Sequence, residues 1–96
     1  MDQIKINLPE TEILAQLAEE AVELAQAALK LRRAIDKRNP TPVSEGRARA
    51  NLYEEYGDVL NCMDQFRDDY WMENAELVRR EKMRRWVERL EANSDA

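Results

Sequence analysis

Apolar side chains recur at alternating spacings of three and four in the first block of the chain, at Leu14, Leu17, Ala21, Leu24, Ala28, Leu31 and Ile35. That rhythm makes a continuous seam for a partner helix. Ala18, Ala25 and Leu29 widen the apolar face on one side. The helix is predicted over about 11–38, starting near Glu10 to Glu12 after Leu8-Pro9 and ending near Arg38, where Asn39-Pro40-Thr41-Pro42 stops it. A second seam follows at Ala48, Leu52, Tyr56, Val59, Met63, Phe66 and Tyr70, on a helix over about 45–70 with Ser44 or Thr41 as N-cap. A break within RDDYWMEN, with Asp69 or Asn74 as the next cap, leads to a third helix over about 74–91. There Met83, Trp86, Val87 and Leu90 are expected to point inward, and the final NSDA to fray. The pattern therefore predicts an all-α chain: a single domain over 1–96, built as a bundle of three main helices.

Size and composition sharpen this picture. Ninety-six residues lie near the lower limit for a self-sufficient core, so the bundle is expected to be completed by oligomerisation. Two Gly and three Pro among many Ala, Leu, Glu and Arg are helix-forming material, and β-branched residues are too scattered for strands. With 15 basic against 20 acidic residues, a formal charge of -5, general nucleic-acid binding is not expected. The chain has no His, which removes imidazole triads, the usual zinc sites and di-iron bundles built on Glu-x-x-His. Two Gly cannot form the usual phosphate-cradling loop. Cys62 stands alone, as suits a reducing cytosol. MDQIKINLPE lacks the basic start and apolar core of an export signal, and no run approaches membrane-spanning length, so a cytoplasmic location with no membrane partner is expected.

The candidate chemistry lies in the carboxylates. Pairs spaced by three occur at Glu20/Glu23, Glu55/Asp58, Glu73/Glu76 and Glu88/Glu91, so spacing alone selects none of them. Position relative to the seams does. At roughly 100° per residue, Glu55 lies about 40° from Val59 and Asp58 about 100°, on one side. Glu20 lies about 60° from Leu17 and Glu23 about 120°, again on one side. Carboxylates held partly out of water need a cation or several donors. Two sources are open: the cations of the third helix, Arg79, Arg80, Lys82, Arg84, Arg85 and Arg89, acting as interhelical salt bridges, or a hard metal cation such as Mg²⁺, which takes oxygen ligands and completes its shell with substrate phosphates. Glu73/Glu76 and Glu88/Glu91 have a simpler account, because Glu76 with Arg80 and Arg84 with Glu88 are i,i+4 partners on a mixed-charge surface.

The two selected pairs sit in EEAVE, Glu19 to Glu23, and EEYGD, Glu54 to Asp58. In order and on successive helices, these resemble the EExxE and ExxD motifs of the MazG-like, all-α nucleoside triphosphate pyrophosphohydrolases. The likeness extends through LAEEAVELAQAALK, NLYEEYGDVL and EKMRRWVERL, roughly residues 12 to 90. DKRNPTPVSEG makes the gap between the motifs long for that family, and Trp86 stands where some relatives carry Asn.

The resemblance implies Mg²⁺-dependent cleavage of a nucleoside triphosphate to monophosphate and pyrophosphate, in nucleotide-pool housekeeping, by a homodimer or homotetramer. It implies that Glu20, Glu23, Glu55 and Asp58 are the metal ligands and catalytic residues. Glu19 belongs to the motif but falls about 160° from Leu17. Substrate would meet Lys30 beyond Glu23 on the first helix, Asn51 and Cys62 beside the second pair, and a stripe of Lys82, Trp86 and Arg89 on the third. The competing reading is a non-catalytic helical interaction module whose acidic cluster is neutralised by the Arg-rich third helix. In that reading Cys62 is a small buried hydrophobe, Asn51 a polar edge residue, Trp86 a core side chain, and Lys82 and Arg89 snorkelling cations.

Overall fold

The computed structural model describes residues 5–37, 43–66 and 68–94. Among them there are three α-helices and no strand: α1 (Glu10–Asp36), α2 (Glu45–Asp64) and α3 (Asp69–Ser94). The chain divides into two compact units, Met1–Gln65 and Phe66–Ala96. α1 and α2 form the first as a packed helical hairpin; α3 forms the second. No helix is long and apolar enough to cross a membrane among the described residues.

The helix termini have identifiable causes. At the start of α1 the Pro9 carbonyl accepts from the backbone N–H groups of Glu12 (2.9 Å) and Ile13 (3.2 Å), and Glu10 and Glu12 place negative charge at the positive end of the helix dipole. α1 stops when Lys37 enters the left-handed region at φ 57°, its N–H closing on Arg33 O. The predicted end at Arg38 and the alternative cap Thr41 lie outside the described residues. A side chain at Lys37 carries a steric cost that Gly lacks. Lys37→Gly is therefore expected to stabilise the chain by about 0.5–1 kcal/mol in urea unfolding, the steric relief outweighing the added chain entropy; a loss of stability would contradict this.

Ser44 caps α2, its Oγ accepting from Arg47 N at 3.2 Å. The helix ends at Asp64 and not near Tyr70 as predicted. The cause is distant in sequence: Lys5 Nζ donates to Asp64 O at 2.6 Å, and Ile6 N donates to Gln65 Oε1 at 2.9 Å. Gln65 Nε2 turns back to Asn61 O at 3.3 Å. The last turn of α2 has no basic residue of its own, so Lys5 supplies the cation that the negative helix end favours. α3 in turn starts earlier than predicted. Asp68, the residue before the expected cap Asp69, accepts from Trp71 N at 2.7 Å. The helix continues through Asn93 and Ser94, which were expected to fray, while Asp95 and Ala96 lie outside the described residues.

The contact line between α1 and α2 is rotated from both predicted seams. On α1 it runs through Ile13, Leu17, Glu20, Leu24, Ala27, Leu31 and Ala34, all buried or half-buried, whereas Leu14, Ala21, Ala28 and Ile35 are exposed. On α2 the line follows Ala48, Leu52, Glu55, Val59 and Cys62; Tyr56 is 54% exposed and Tyr70 belongs to α3. Leu31, Ala34 and Ala48 form the core, with Val43 and Leu52 packed against it. The reason for the rotation is that the apolar arc of α1 is wide enough for two contact faces. Its centre, which the spacing picks out, falls between them. On α3 no residue is buried, and Met83, Trp86, Val87 and Leu90, expected inward, are all exposed.

Candidate metal centre

The rotation moves Glu20 and Glu55 onto the contact line itself, between Leu17 and Leu24 on one helix and Leu52 and Val59 on the other. Glu23 and Asp58, one turn on, project from the same flank of the hairpin, because antiparallel helices turn in opposite senses when viewed from one end. The outcome is convergence: one carboxylate oxygen from each of Glu20, Glu23, Glu55 and Asp58 lies within 4.8 Å of all the others. Glu20 and Glu55 are half-buried, Glu23 and Asp58 exposed.

Hydrogen bonding leaves this cluster unsatisfied. Gln16 Nε2 donates to Glu20 Oε1 at 2.7 Å, yet Glu20 Oε2 and Glu55 Oε2 are buried with no hydrogen-bond partner. Gln16 was not foreseen as a site residue, although its position four before Glu20 was a readable i,i+4 signal. Its hydrogen bond favours the Glu20 anion, but burial and the charges of Glu23 and Asp58 together outweigh it and push the Glu20 carboxyl above its ordinary value. Cys62, one turn beyond Asp58, borders the same cluster: burial first, then Glu20 and Asp58, push its thiol up.

Four of the arginines considered as salt-bridging partners meet acidic residues of their own helix. Arg79 and Arg80 pair with Glu76 at 3.1 and 3.3 Å, Arg84 with both Glu81 and Glu88, and Arg85 with Glu81 at 3.6 Å. All are partners within α3, including the expected Glu76–Arg80 and Arg84–Glu88 pairs. Such exposed pairs contribute little to stability.

Among the other candidate residues, Lys30 is exposed on α1, two turns beyond Glu23, and Asn51 is exposed on α2, one turn before Glu55. Lys82, Trp86 and Arg89 do share a stripe on α3, where with Arg79 and Met83 they line one shallow depression. Glu19 and Glu54 are exposed and outside the quartet.

Four oxygen-only donors on two packed helices, two of them with buried unpartnered oxygens, have the composition a hard divalent cation takes. Without such a cation the ionised cluster works against folding. Because the Glu20 carboxyl is raised in the folded chain, its contribution to stability is complete while it is protonated and is lost as pH rises through that raised value. In EDTA the melting temperature is therefore expected to fall as pH rises out of the ordinary carboxylate range, and Glu20→Gln to flatten that dependence. An equal slope in the variant would show that Glu20 does not carry the effect.

Comparison of the chain with family models, curated proteins and solved structures gives no match.

Proposed function

We propose that this chain is a Mg²⁺-dependent nucleoside triphosphate pyrophosphohydrolase of the MazG-like, all-α kind, acting in the cytoplasm on the nucleotide pool as a homodimer or homotetramer. The observation that carries the reading is the convergence of Glu20, Glu23, Glu55 and Asp58 within 4.8 Å, with Glu20 Oε2 and Glu55 Oε2 buried and unpartnered. Like charges at that separation repel strongly unless a cation offsets them. The same four residues are those of the EEAVE and EEYGD motifs.

In this reading Glu20 and Glu23 of α1 and Glu55 and Asp58 of α2 would hold Mg²⁺. When bound, the cation would offset charge on the phosphate oxygens and assist activation of water. Glu20 and Glu55, restrained by Leu17, Leu24, Leu52 and Val59, fix the position of the site at the helix contact, and Gln16 holds Glu20 Oε1 in place. Glu23 and Asp58 present the exposed edge at which a triphosphate arrives. Lys30, Asn51 and Cys62 are the further residues of α1 and α2 proposed to meet the nucleotide. Water adds to the α-phosphorus, and the bond from that phosphorus to the bridging oxygen breaks. Nucleoside monophosphate and pyrophosphate leave.

Hydrolysis in ¹⁸O-labelled water tests the bond assignment. The label is expected in the monophosphate; label found in pyrophosphate, or release of inorganic phosphate in place of pyrophosphate, would overturn it.

A further inference from the structure

The two oxygens of Glu20 stand in different surroundings. One turn earlier on α1, Gln16 donates from Nε2 to Glu20 Oε1 at 2.7 Å, while Glu20 Oε2 is buried with no hydrogen-bond partner. An ionised carboxylate only accepts hydrogen bonds, so the nitrogen of the amide and not its oxygen must face it. Oε1 is thus engaged by a neutral donor, and Oε2 is open. On α2 the matching position, four residues before Glu55, is Asn51. Its exposed side chain is one methylene shorter, and Glu55 Oε2 is left without a partner.

We infer that Gln16 makes Glu20 a one-oxygen ligand and thereby sets the preference of the carboxylate site for Mg²⁺ over Ca²⁺. This selectivity rests on the reading of Glu20, Glu23, Glu55 and Asp58 as metal ligands, and it assigns Gln16 the part of a positioning residue that discriminates between two cations of equal charge. Mg²⁺ demands a near-octahedral shell and keeps several positions for water and phosphate, whereas Ca²⁺ takes roughly six to eight oxygens and readily engages both oxygens of one carboxylate. A carboxylate free to present both oxygens suits the larger ion; one fastened by an amide does not. Glu20 has little room to turn, because it is half-buried on the contact line between Leu17 and Leu24. Ca²⁺ could gain Oε1 only by breaking the bond from Gln16. Mg²⁺, using Oε2 alone, leaves that bond in place, and the bond in turn favours the ionised form that a cation needs.

Isothermal titration calorimetry of the full chain with MgCl₂ and with CaCl₂, in the absence of nucleotide, tests this. Gln16→Met keeps an unbranched helix-forming side chain at an exposed position and removes the donor. In that variant the ratio of the Ca²⁺ to the Mg²⁺ dissociation constant is expected to fall by about tenfold, the lower end of what losing a hydrogen-bond partner of a metal ligand costs. Circular dichroism is expected to report retained helix. Gln26→Met, exposed elsewhere on α1, is the control and is expected to keep the parent ratio. An unchanged ratio in Gln16→Met while Mg²⁺ still binds, equal weakening of both cations, or the same change in Gln26→Met would overturn the assignment and leave the metal site standing. A parent chain that binds neither cation would instead overturn the metal reading itself, and the selectivity with it.

Discussion

Glu55→Gln is expected to lower pyrophosphate release by at least about 1,000-fold, which corresponds to several kcal/mol of lost transition-state stabilisation. The substitution keeps the size of the side chain and its place between Leu52 and Val59. It removes one of four charges that converge within 4.8 Å, and one whose Oε2 is buried without a partner. Stability should therefore move the other way: in EDTA the variant is expected to melt above the parent chain, because less repulsion is folded into the hairpin. Glu54→Gln is the matched control, one residue away but exposed and outside the quartet, and should leave both properties unchanged. Full activity in Glu55→Gln would remove Glu55 from the ligand set, and equal losses in the two variants would point to a general effect of charge.

Leu31→Ala is expected to cost about 2–4 kcal/mol, the usual range for emptying a well-packed aliphatic site. Leu31 is the largest side chain of the core, packed with Ala34, Ala48, Val43 and Leu52, and among the described residues the other buried apolar side chains are Ile13, Ala27, Ala34 and Ala48. With so few, nothing nearby can refill the space. At about 4–8 °C per kcal/mol for a domain of this size, the melting temperature should fall by roughly 10–25 °C. The comparison needs equal protein concentrations, because association shifts apparent stability. An unchanged melting temperature would mean that the α1–α2 contact near Leu31 is not where the hairpin is held.

What was legible in the sequence was set by local chemistry. Ser44 as a cap, the all-helical class and the ion pairs of α3 follow from neighbours within a turn. The end of α2 was not legible, because it depends on Lys5 and Ile6 reaching Asp64 and Gln65 across 59 residues. Nor could spacing alone give the phase of the seams. α1 carries apolar residues over an arc wide enough for two faces, so of the seam predicted for a partner helix Leu17, Leu24 and Leu31 meet α2 while Leu14, Ala21, Ala28 and Ile35 stay exposed. That rotation bears directly on the site. It turns Glu20 from a residue beside the contact into one within it, and it leaves the pairing of Glu20/Glu23 with Glu55/Asp58 intact. The arginines of α3 show the limit of composition: six cations suggested neutralisation of the carboxylates, but Arg79, Arg80, Arg84 and Arg85 already meet Glu76, Glu81 and Glu88 one turn away.

The central claim is most directly tested by incubating the purified chain with Mg²⁺ and a panel of canonical and modified nucleoside triphosphates, measuring pyrophosphate while following its melting temperature with and without the cation. The account predicts pyrophosphate from at least one member of the panel and a Mg²⁺-dependent rise in melting temperature that Glu55→Gln abolishes. Pyrophosphate from none, with no rise, would contradict it and leave a helical interaction module in its place.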